Sequence, residues 1–370
     1  VAASGTAAWV RHPSAPSEDC RPDLQERWRD GHSLDASASP VLGATPLTRL
    51  TLLPHSVPRG EGGGKGFDLC GCATGDRDDE VVGVVVGSLD GDAVEPVEHD
   101  RDQPADAFVP IDTEAVSEED TQRASEWAGQ YGFDAILSTD GDADRPLVGD
   151  ERGQWLRGDV AGILCAQYLG AQAVVTTVSC NTAVELCGAF ESVVRTRIGS
   201  PYVIEAMENL VKAGGRKVVG FEPNGGFLIG STLDKAGRTL EPLLTRDAVL
   251  PILCLLCSAM EHKGNLSGLS LALPPRFTAS DRLQNFSTET SRKLVSALAA
   301  SNAAIDDLLG DVCGKLNRLD QTDGLRIAFV NGDIVHFRPS GNAPELRCYA
   351  ESASADRAGV LVREGLQRIK

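Results

Sequence analysis

The stretch between residues 173 and 222 decides the fold, because three strand-like segments alternate there with two helix-like ones. In chain order the segments are Ala173–Thr177 (AVVTT), Asn181–Ala189 (NTAVELCGA), Val193–Arg197 (VVRTR), Pro201–Ala213 (PYVIEAMENLVKA) and Lys217–Glu222 (KVVGFE). Short apolar strands that alternate with helices are typical of a parallel sheet with helices on its faces. The pattern therefore predicts an α/β domain with a mixed or parallel sheet.

This predicted domain extends in both directions along the chain. Helices are expected over Asp159–Leu169 before the stretch and over Arg246–His262 after it, which gives the domain the bounds 156–268. A second α/β domain is expected over residues 81–155. It contains a helix that Thr113 or Ser117 caps, followed by a strand over residues 133–139.

The pattern changes after Gly264, where strands follow one another with few helices between them. The expected strands are Phe277–Leu283, Gly324–Val330, Asp333–Phe337 and Glu345–Tyr349, with helices near Thr288–Ala300 and from Ala355 onward. This order predicts a C-terminal α+β domain over 269–370, with helices on one face of a mostly antiparallel sheet. Residues 1–80 are rich in Pro, Gly and Ser and are expected to be a poorly defined remnant of a first domain.

Charge and hydrophobicity exclude two classes of partner. The 370 residues carry 35 Lys and Arg against 53 Asp and Glu, a net charge of −18, so a broad basic face for nucleic acid is not expected. The longest apolar run, Ala248–Met260, is too short for a membrane span and contains Pro251. With no signal peptide recognised, a cytoplasmic location is expected, and small anionic substrates remain possible.

An acidic loop follows the predicted strand over 133–139. Its sequence, TDGDADR over residues 139–145, places Asp140, Asp142 and Asp144 at alternate positions. Three bare carboxylates would repel one another, so the pattern favours a divalent cation, with Arg145 beside it as a fork for phosphate. An EF-hand is disfavoured, because Arg145 stands where the turn needs a glycine and a strand precedes the loop. A solvated acidic turn is the remaining alternative.

Two further loops carry polar groups that suit a sugar phosphate. The loop GFEPNGGF over residues 220–227 presents Glu222 and Asn224, which can bind sugar hydroxyls or simply stabilise a tight turn. The loop RPSGNAPELR over residues 338–347 can form a phosphate cradle or a plain hairpin loop. Its candidate residues are Arg338, Ser340, Gly341, Asn342 and Arg347. A weaker element, Arg197–Pro201, is a turn into a helix that can meet an anion or only cap the helix.

The three loops in this order resemble those of the α-D-phosphohexomutase superfamily, most closely its bacterial phosphomannomutase/phosphoglucomutase branch. The resemblance runs from about Ala107 to the C-terminus and implies four domains around a cleft. It implies Mg²⁺ bound by Asp140, Asp142 and Asp144, with Arg145 as a catalytic residue. It also implies that Glu222 and Asn224 contact the sugar. The distal phosphate would then be held by Arg338, Ser340, Gly341 and Asn342, with Arg347 just beyond them.

The resemblance also implies an activity. Members convert hexose 6-phosphates into hexose 1-phosphates through a phosphoserine and a hexose 1,6-bisphosphate, and mannose is expected before glucose. The family's T-[AG]-S-H-N-P serine loop is not found in residues 1–106, and Gly226 stands where some relatives have a His. We therefore expect a truncated or divergent phosphoserine domain and assign no catalytic serine. A relative that binds sugar phosphate and Mg²⁺ without turnover, and a phosphoglucosamine mutase, are the alternatives.

Overall fold

Three sheets and a short hairpin organise the described part of the chain. The structure, a computed structural model, describes residues 85–86, 112–235, 237–341 and 343–370. The expected remnant over residues 1–80 lies outside these ranges. The fold class predicted from the sequence, α/β units followed by an α+β unit, is confirmed.

The first sheet is antiparallel and carries the acidic loop at a hairpin tip. Its strands pair in the order β1 (Val85–Val86), β2 (Ile136–Thr139), β3 (Pro146–Gly149) and β4 (Trp155–Leu156). Thr139 pairs with Pro146, so the residues between them form the β2–β3 connection. The sequence analysis did not predict β3, which begins at a proline, a residue that strands accept at their first position.

One helix, α1 (Glu118–Tyr131), precedes β2. The Ser117 side chain accepts from the backbone N–H of Asp120, and Gly132 ends the helix in a left-handed conformation. Of the two predicted caps, Ser117 is therefore correct. The Thr113 hydroxyl instead donates to the backbone oxygen of Asn224 at 2.6 Å, which ties the segment before α1 to the central unit.

The central sheet is mixed, as predicted. Its order is β6 (Ser192–Thr196), β5 (Ala173–Thr177), β7 (Val218–Phe221) and β8 (Phe227–Ile229), in which β5 is parallel to β6 and β7 whereas β8 is antiparallel to β7. A small hairpin of β9 (Leu233–Lys235) and β10 (Arg238–Leu240) follows. Successive strand residues face opposite sides, so the sheet has two apolar faces and needs helices on both.

Helices cover both faces of this sheet. They are α2 (Gly158–Tyr168), α3 (Ala183–Leu186), α4 (Ser200–Lys212), α5 (Val249–Glu261) and α6 (Leu266–Leu271). Val174 packs in the cluster that contains α2 and α5, and Val175 packs with α4. The predicted helix over Asn181–Ala189 is too long, because only one turn forms before Gly188 takes a φ of 64°.

The helix α5 begins three residues later than predicted. The Asp247 carboxylate accepts from the backbone N–H groups of Val249 (2.8 Å) and Leu250 (3.2 Å), so residue 246 lies outside the helix. Pro251 is tolerated because it lies in the first turn, where its missing N–H has no helical acceptor. Within the described residues, no helix combines the length and the hydrophobicity that crossing a membrane requires.

The C-terminal unit is an antiparallel sheet of five strands. Its order is β11 (Phe277–Leu283), β15 (Leu346–Ser352), β14 (Ile334–Pro339), β13 (Leu325–Phe329) and β12 (Leu316–Asp320). The helices α7 (Thr288–Ala299) and α10 (Ala355–Ile369) share one apolar cluster with the strands. Shorter helical turns lie between α7 and β12, at α8 (Asn302–Ile305), a π-turn (Asp306–Gly310) and α9 (Asp311–Cys313).

The two faces of this sheet differ in chemistry. Phe337 and Cys348 lie under α10, close to Gly365. Their strand neighbours His336 and Tyr349 face the other side and line a cavity with Ser179 and Cys180 of the central unit. The polar face of the C-terminal sheet therefore forms a seam with the central unit.

Hydrogen bonds from the backbone of the central unit cross this seam to carboxylates that also form ion pairs within the C-terminal unit. Glu351 accepts from Arg276 Nε at 2.6 Å and from the backbone N–H of Thr182 at 3.2 Å. The Asp323 carboxylate accepts from Ile198 N at 3.1 Å and from Arg338 Nε at 2.9 Å. Three buried polar atoms at the seam cavity, Thr278 Oγ1, Arg326 Nη2 and His336 Nδ1, have no hydrogen-bond partner among the described residues.

Protonation of His336 is expected to destabilise the fold below neutral pH. His336 is 2% exposed, and its Nε2 donates to the backbone oxygen of Asp323 at 2.6 Å. Burial lowers the pKa of His336 to about 4; the bond to Asp323 opposes this shift and Arg326 adds to it. An unfolded histidine titrates near 6.5, so the unfolded chain binds more protons between the two pKa values. Stability therefore falls as the pH falls through this window, by about 2 kcal/mol at a pH of about 5.

Urea unfolding at about pH 7 and about pH 5 measures this loss. His336→Gln retains a donor for the Asp323 carbonyl but has no titrating ring, so the loss between the two conditions should shrink by about 2 kcal/mol. An equal loss in the two proteins would contradict the prediction.

Candidate functional site

The three aspartates of the acidic loop lie together at the tip of the β2–β3 hairpin. One carboxylate oxygen from each of Asp140, Asp142 and Asp144 lies within 4.8 Å of the others. The Oδ1 atom of Asp140 accepts from the backbone N–H groups of Asp144 (3.2 Å) and Arg145 (3.0 Å) and so shapes the loop. Asp142 is exposed, whereas Asp140 is 4% exposed. Asp140 thus supports the loop from inside, and Asp142 faces solvent.

The guanidinium groups near this cluster do not balance the negative charge of the three aspartates. Burial raises the pKa of Asp140 to about 6, Asp142 adds to the rise, and Arg145 opposes it. The Nε atom of Arg145 lies 3.0 Å from Asp140 Oδ2, and an Nη atom of Arg246 lies 2.5 Å from Asp144 Oδ2. The other oxygen of Asp144 is buried and lies 3.4 Å from Arg145 Nε, but it has no hydrogen-bond partner in the part of the chain that the structure describes. Three carboxylates arranged in this way can hold a divalent cation.

The loop after β7 is a tight turn with a buried carboxylate. The backbone N–H of Gly225 donates to Glu222 O at 3.0 Å, and that of Gly226 donates to Asn224 Oδ1 at 3.0 Å. Glu222 is 3% exposed, and its carboxylate accepts from the Ser200 hydroxyl at 2.5 Å. The turn that the sequence offered as an alternative is therefore present, and Asn224 takes part in it. Ser200, at the start of α4, belongs to the Arg197–Pro201 turn, which the sequence indicated only as a weaker anion-binding element.

Close backbone contacts hold this loop against the acidic hairpin. A Cβ atom on Gly225 would lie 3.0 Å from Pro146, the residue that follows the acidic loop. A Cβ atom on Gly158, the first residue of α2, would lie 2.5 Å from Pro223 O and closer still to Gly225 N. The glycines let three backbone segments approach one another more closely than side chains allow. The two loops that the sequence analysis named separately are thus neighbours.

The C-terminal loop begins and ends on paired arginines. Arg338 of β14 lies directly opposite Arg347 of β15 in the sheet. Ser340 is buried, and its N–H donates to Glu345 O at 2.9 Å, whereas Gly341 is exposed. The Nε atom of Arg347 is buried without a hydrogen-bond partner among the described residues. Asn342, the fourth predicted loop residue, lies outside the described residues.

A third arginine, Arg282, lies beside the opposed pair formed by Arg338 and Arg347. Arg282 of β11 pairs with Arg347 in the register, so three arginines lie side by side across three strands. The Glu345 carboxylate lies 3.6 Å from Arg282 Nε and 3.7 Å from Arg347 Nε. Like charges directly opposite each other destabilise a sheet, so a bound anion would stabilise this row of arginines. The sequence predicted β11 correctly, but the position of Arg282 depends on a register that local patterns do not contain.

Residues between the loops were also missed. Glu114 lies near both Arg157 and Arg347, whose charges oppose the rise in its pKa that burial causes. Arg157 immediately precedes α2, and its Nε lies 3.1 Å from the Asp159 carboxylate. The turn before α4, which the sequence indicated only as a weaker anion-binding element, reaches the C-terminal unit, where Ile198 N donates to Asp323. A charged residue next to a predicted helix start, as at Arg157, is the signal that could have found one of these positions.

Comparison with known proteins assigns the chain to a family. Residues 157–277 match the family model "Phosphoglucomutase/phosphomannomutase, alpha/beta/alpha domain III", and residues 283–364 match "Phosphoglucomutase/phosphomannomutase, C-terminal domain". The chain is 48% identical to a phosphomannomutase of Salmonella muenchen over 266 residues, which cover 72% of this chain and 55% of the relative. It is 45% identical to a phosphomannomutase of Sinorhizobium fredii over 262 residues, which cover 71% and 55%.

These matches define a protein built from domains of the sugar-phosphate mutases. The chain belongs to the phosphoglucomutase/phosphomannomutase family, and the family predicted from the three loops is confirmed. It spans about half the length of the curated relatives that it matches. A solved family member from Burkholderia thailandensis aligns with 16% identity and a TM-score of 0.49, over 68% of this chain and 48% of that one.

Gly158 is expected to be essential for the contact between α2 and the Glu222 loop. Gly158→Ala places a Cβ atom against the backbone at residues 223 and 225, which is not a flexible side-chain end. The loop must move, so we expect a loss of about 1–3 kcal/mol in the free energy of unfolding. Gly129→Ala in α1 is the matched control, because no atom of the described residues lies within 4 Å of its new Cβ. It should stabilise the protein by about 0.5–1 kcal/mol. Equal effects of the two substitutions in urea unfolding would contradict this account.

Proposed function

We propose that the chain is a Mg²⁺-dependent phosphohexomutase that interconverts hexose 6-phosphates and hexose 1-phosphates. The observation that carries the proposal is the packing of the Glu222 loop against the acidic hairpin, with Gly225 on Pro146. A cation on the aspartates would then lie next to a sugar on Glu222. The similarity to named phosphomannomutases supports mannose as the first sugar and glucose as the second.

The residues present fit the proposed metal. Asp140, Asp142 and Asp144 would hold Mg²⁺, a cation that prefers carboxylate oxygens, and Asp144 Oδ1 accepts no hydrogen bond from the described residues. When bound, Mg²⁺ would offset the charge of a phosphoryl group in transfer. Arg145, fixed to Asp140, would direct its remaining guanidinium N–H groups to the same phosphoryl group.

The C-terminal loop would hold the phosphate that is not reacting. Arg338 and Arg347 provide charge on adjacent strands. Ser340, Gly341 and Asn342 would donate from the loop, and Glu222 and Asn224 would bind the hydroxyls of the sugar. A clamp that recognises phosphate alone accepts the substrate in either orientation. This is what exchange between positions 1 and 6 through a bisphosphate requires.

The domain division that accompanies this proposal keeps the predicted bounds. The acidic hairpin belongs to residues 81–155, the sugar loop to 156–268 and the phosphate loop to 269–370. The phosphoserine would come from the region before residue 112, and no particular serine is assigned. Because no T-[AG]-S-H-N-P loop is found in residues 1–106, a relative that binds without turnover is the second candidate.

Mass spectrometry separates the two candidates. The whole chain is incubated with Mg²⁺ and glucose 1,6-bisphosphate, and intact and peptide masses are measured. Uptake of one phosphoryl group on a serine is expected for a mutase. Binding of glucose 6-phosphate without uptake would assign the chain to the non-transferring class. Competition among mannose, glucose and glucosamine 6-phosphates then ranks the sugars, and preference for glucosamine would overturn the proposed order.

Removal of one acidic charge tests the metal site. Asp142 is exposed, so Asp142→Asn should preserve the fold while the affinity for Mn²⁺, a spectroscopic substitute for Mg²⁺, falls at least about tenfold. Glu289→Gln, an exposed position in α7 paired with Lys293, is the control and should bind as the unchanged chain does. Electron paramagnetic resonance of free Mn²⁺ gives both affinities. Undiminished Mn²⁺ affinity in Asp142→Asn would refute the metal site.

Removal of arginines tests the phosphate clamp. Arg347→Gln is expected to raise the dissociation constant for glucose 6-phosphate at least tenfold, because a buried donor on the anion is lost. Arg282→Gln should raise it less, by about threefold, since Arg282 is more exposed. Arg318→Gln, on β12 at the far edge of the sheet, is the control. Calorimetry measures the dissociation constant of glucose 6-phosphate for all three variants. If the phosphate binds elsewhere, the affinities of Arg347→Gln and Arg282→Gln will equal that of the unchanged chain.

A further inference from the structure

Arg246 lies between the acidic hairpin and the Glu222 loop and belongs to neither. We infer that Arg246 is a counter-ion of Asp144 that is released when a divalent cation binds, and that it then binds the phosphoryl group of the sugar phosphate. The inference rests on the proposed metal site and adds to it a residue that couples metal binding to substrate binding.

The backbone around Arg246 is fixed. The next residue, Asp247, donates its N–H to Phe227 O at 3.2 Å and caps α5 with its carboxylate. The Arg246 side chain is 25% exposed and ends 2.5 Å from Asp144 Oδ2. Because the backbone is fixed and the guanidinium is partly exposed, Arg246 can exchange one ionic partner for another by rotation of its side chain alone.

The side chain of Arg246 occupies the space over Gly226. A Cβ atom on Gly226 would lie 2.5 Å from Arg246 Cδ and 3.0 Å from Arg246 Cγ. The glycine and the arginine are therefore sterically linked, because any side chain at position 226 would displace the arginine stem. Through this contact the guanidinium reaches Asp144 from the side of the sugar loop.

The charges around Asp144 favour an exchange. Three carboxylates face two guanidinium groups, so the cluster retains negative charge. Arg145 lies on the hairpin itself and contacts Asp140 and the Oδ1 atom of Asp144, whereas Arg246 comes from a separate segment and contacts the Oδ2 atom of Asp144. A divalent cation on Asp144 competes directly with Arg246 and reverses the sign of the local charge.

The released guanidinium then needs an anionic partner. It lies beside the loop that would hold the sugar and would bind a phosphoryl group placed there. Arginine matches phosphate oxygens with two parallel N–H donors. The cation and the sugar phosphate should therefore bind with positive coupling, because the first frees the residue that the second uses.

Arg246→Gln separates the two effects. Without sugar phosphate, the variant should bind Mn²⁺ about three- to tenfold more tightly than the unchanged chain, because the competing charge is gone. With Mn²⁺ present, its affinity for glucose 6-phosphate should fall, and the gain in affinity that Mn²⁺ gives the unchanged chain should be reduced by at least threefold. Arg238→Gln, on the exposed β10, is the charge-matched control and should change neither quantity.

Gly226→Ala provides an independent test of the same contact. It retains Arg246 but displaces its stem, so it should also tighten Mn²⁺ binding, and the double variant should add nothing to Arg246→Gln. Equal Mn²⁺ affinities of the unchanged chain and Arg246→Gln would overturn this inference and leave the metal site standing. Failure of the unchanged chain to bind Mn²⁺ would overturn the metal site and this inference together.

Discussion

Repulsion among three carboxylates within 4.8 Å of one another is the constraint on which the rest of the site depends. The hairpin holds them there through the backbone N–H bonds to Asp140, not through any attraction among the aspartates. Two guanidinium groups reduce the electrostatic cost, Arg145 on the hairpin and Arg246 from before α5. Arg145 Nε lies 3.4 Å from the second oxygen of Asp144, but neither guanidinium makes a hydrogen bond to it, so the charge of the cluster is only partly compensated.

Glycines determine how closely the loops around the aspartate cluster approach one another. Gly158 and Gly225 let α2, the Glu222 loop and β3 approach at backbone distance, and Gly226 leaves room for Arg246. Contacts of this kind depend on shape and involve no net charge. They keep the Glu222 carboxylate beside the cluster of three aspartates, although both groups are negative. Close packing of the backbone thus holds Glu222 and the aspartates together against the repulsion between their charges.

The sequence could predict what depends on neighbours along the chain. The alternation from Ala173 to Glu222 specified the central sheet, and the pattern before α1 included the correct cap, Ser117. The three loops could be found because their residue types are unusual at such spacing. Arg282 and Arg246 could not be found in this way, because one depends on cross-strand register and the other on the approach of distant segments. The length of α3 was overestimated because Gly188 ends the helix where apolar residues continue.

The polar seam between the central and C-terminal units determines what holds the two units together. Thr278, Arg326 and His336 each have a buried polar atom there without a hydrogen-bond partner among the described residues. The cavity beside them measures about 10 Å³, just enough for one water molecule, which would hydrogen-bond to these groups. The two units have separate apolar clusters, so at this seam they meet through polar side chains and not through a shared hydrophobic core. Movement of one unit against the other would therefore break hydrogen bonds such as the one from Ile198 N to Asp323 without opening an apolar core.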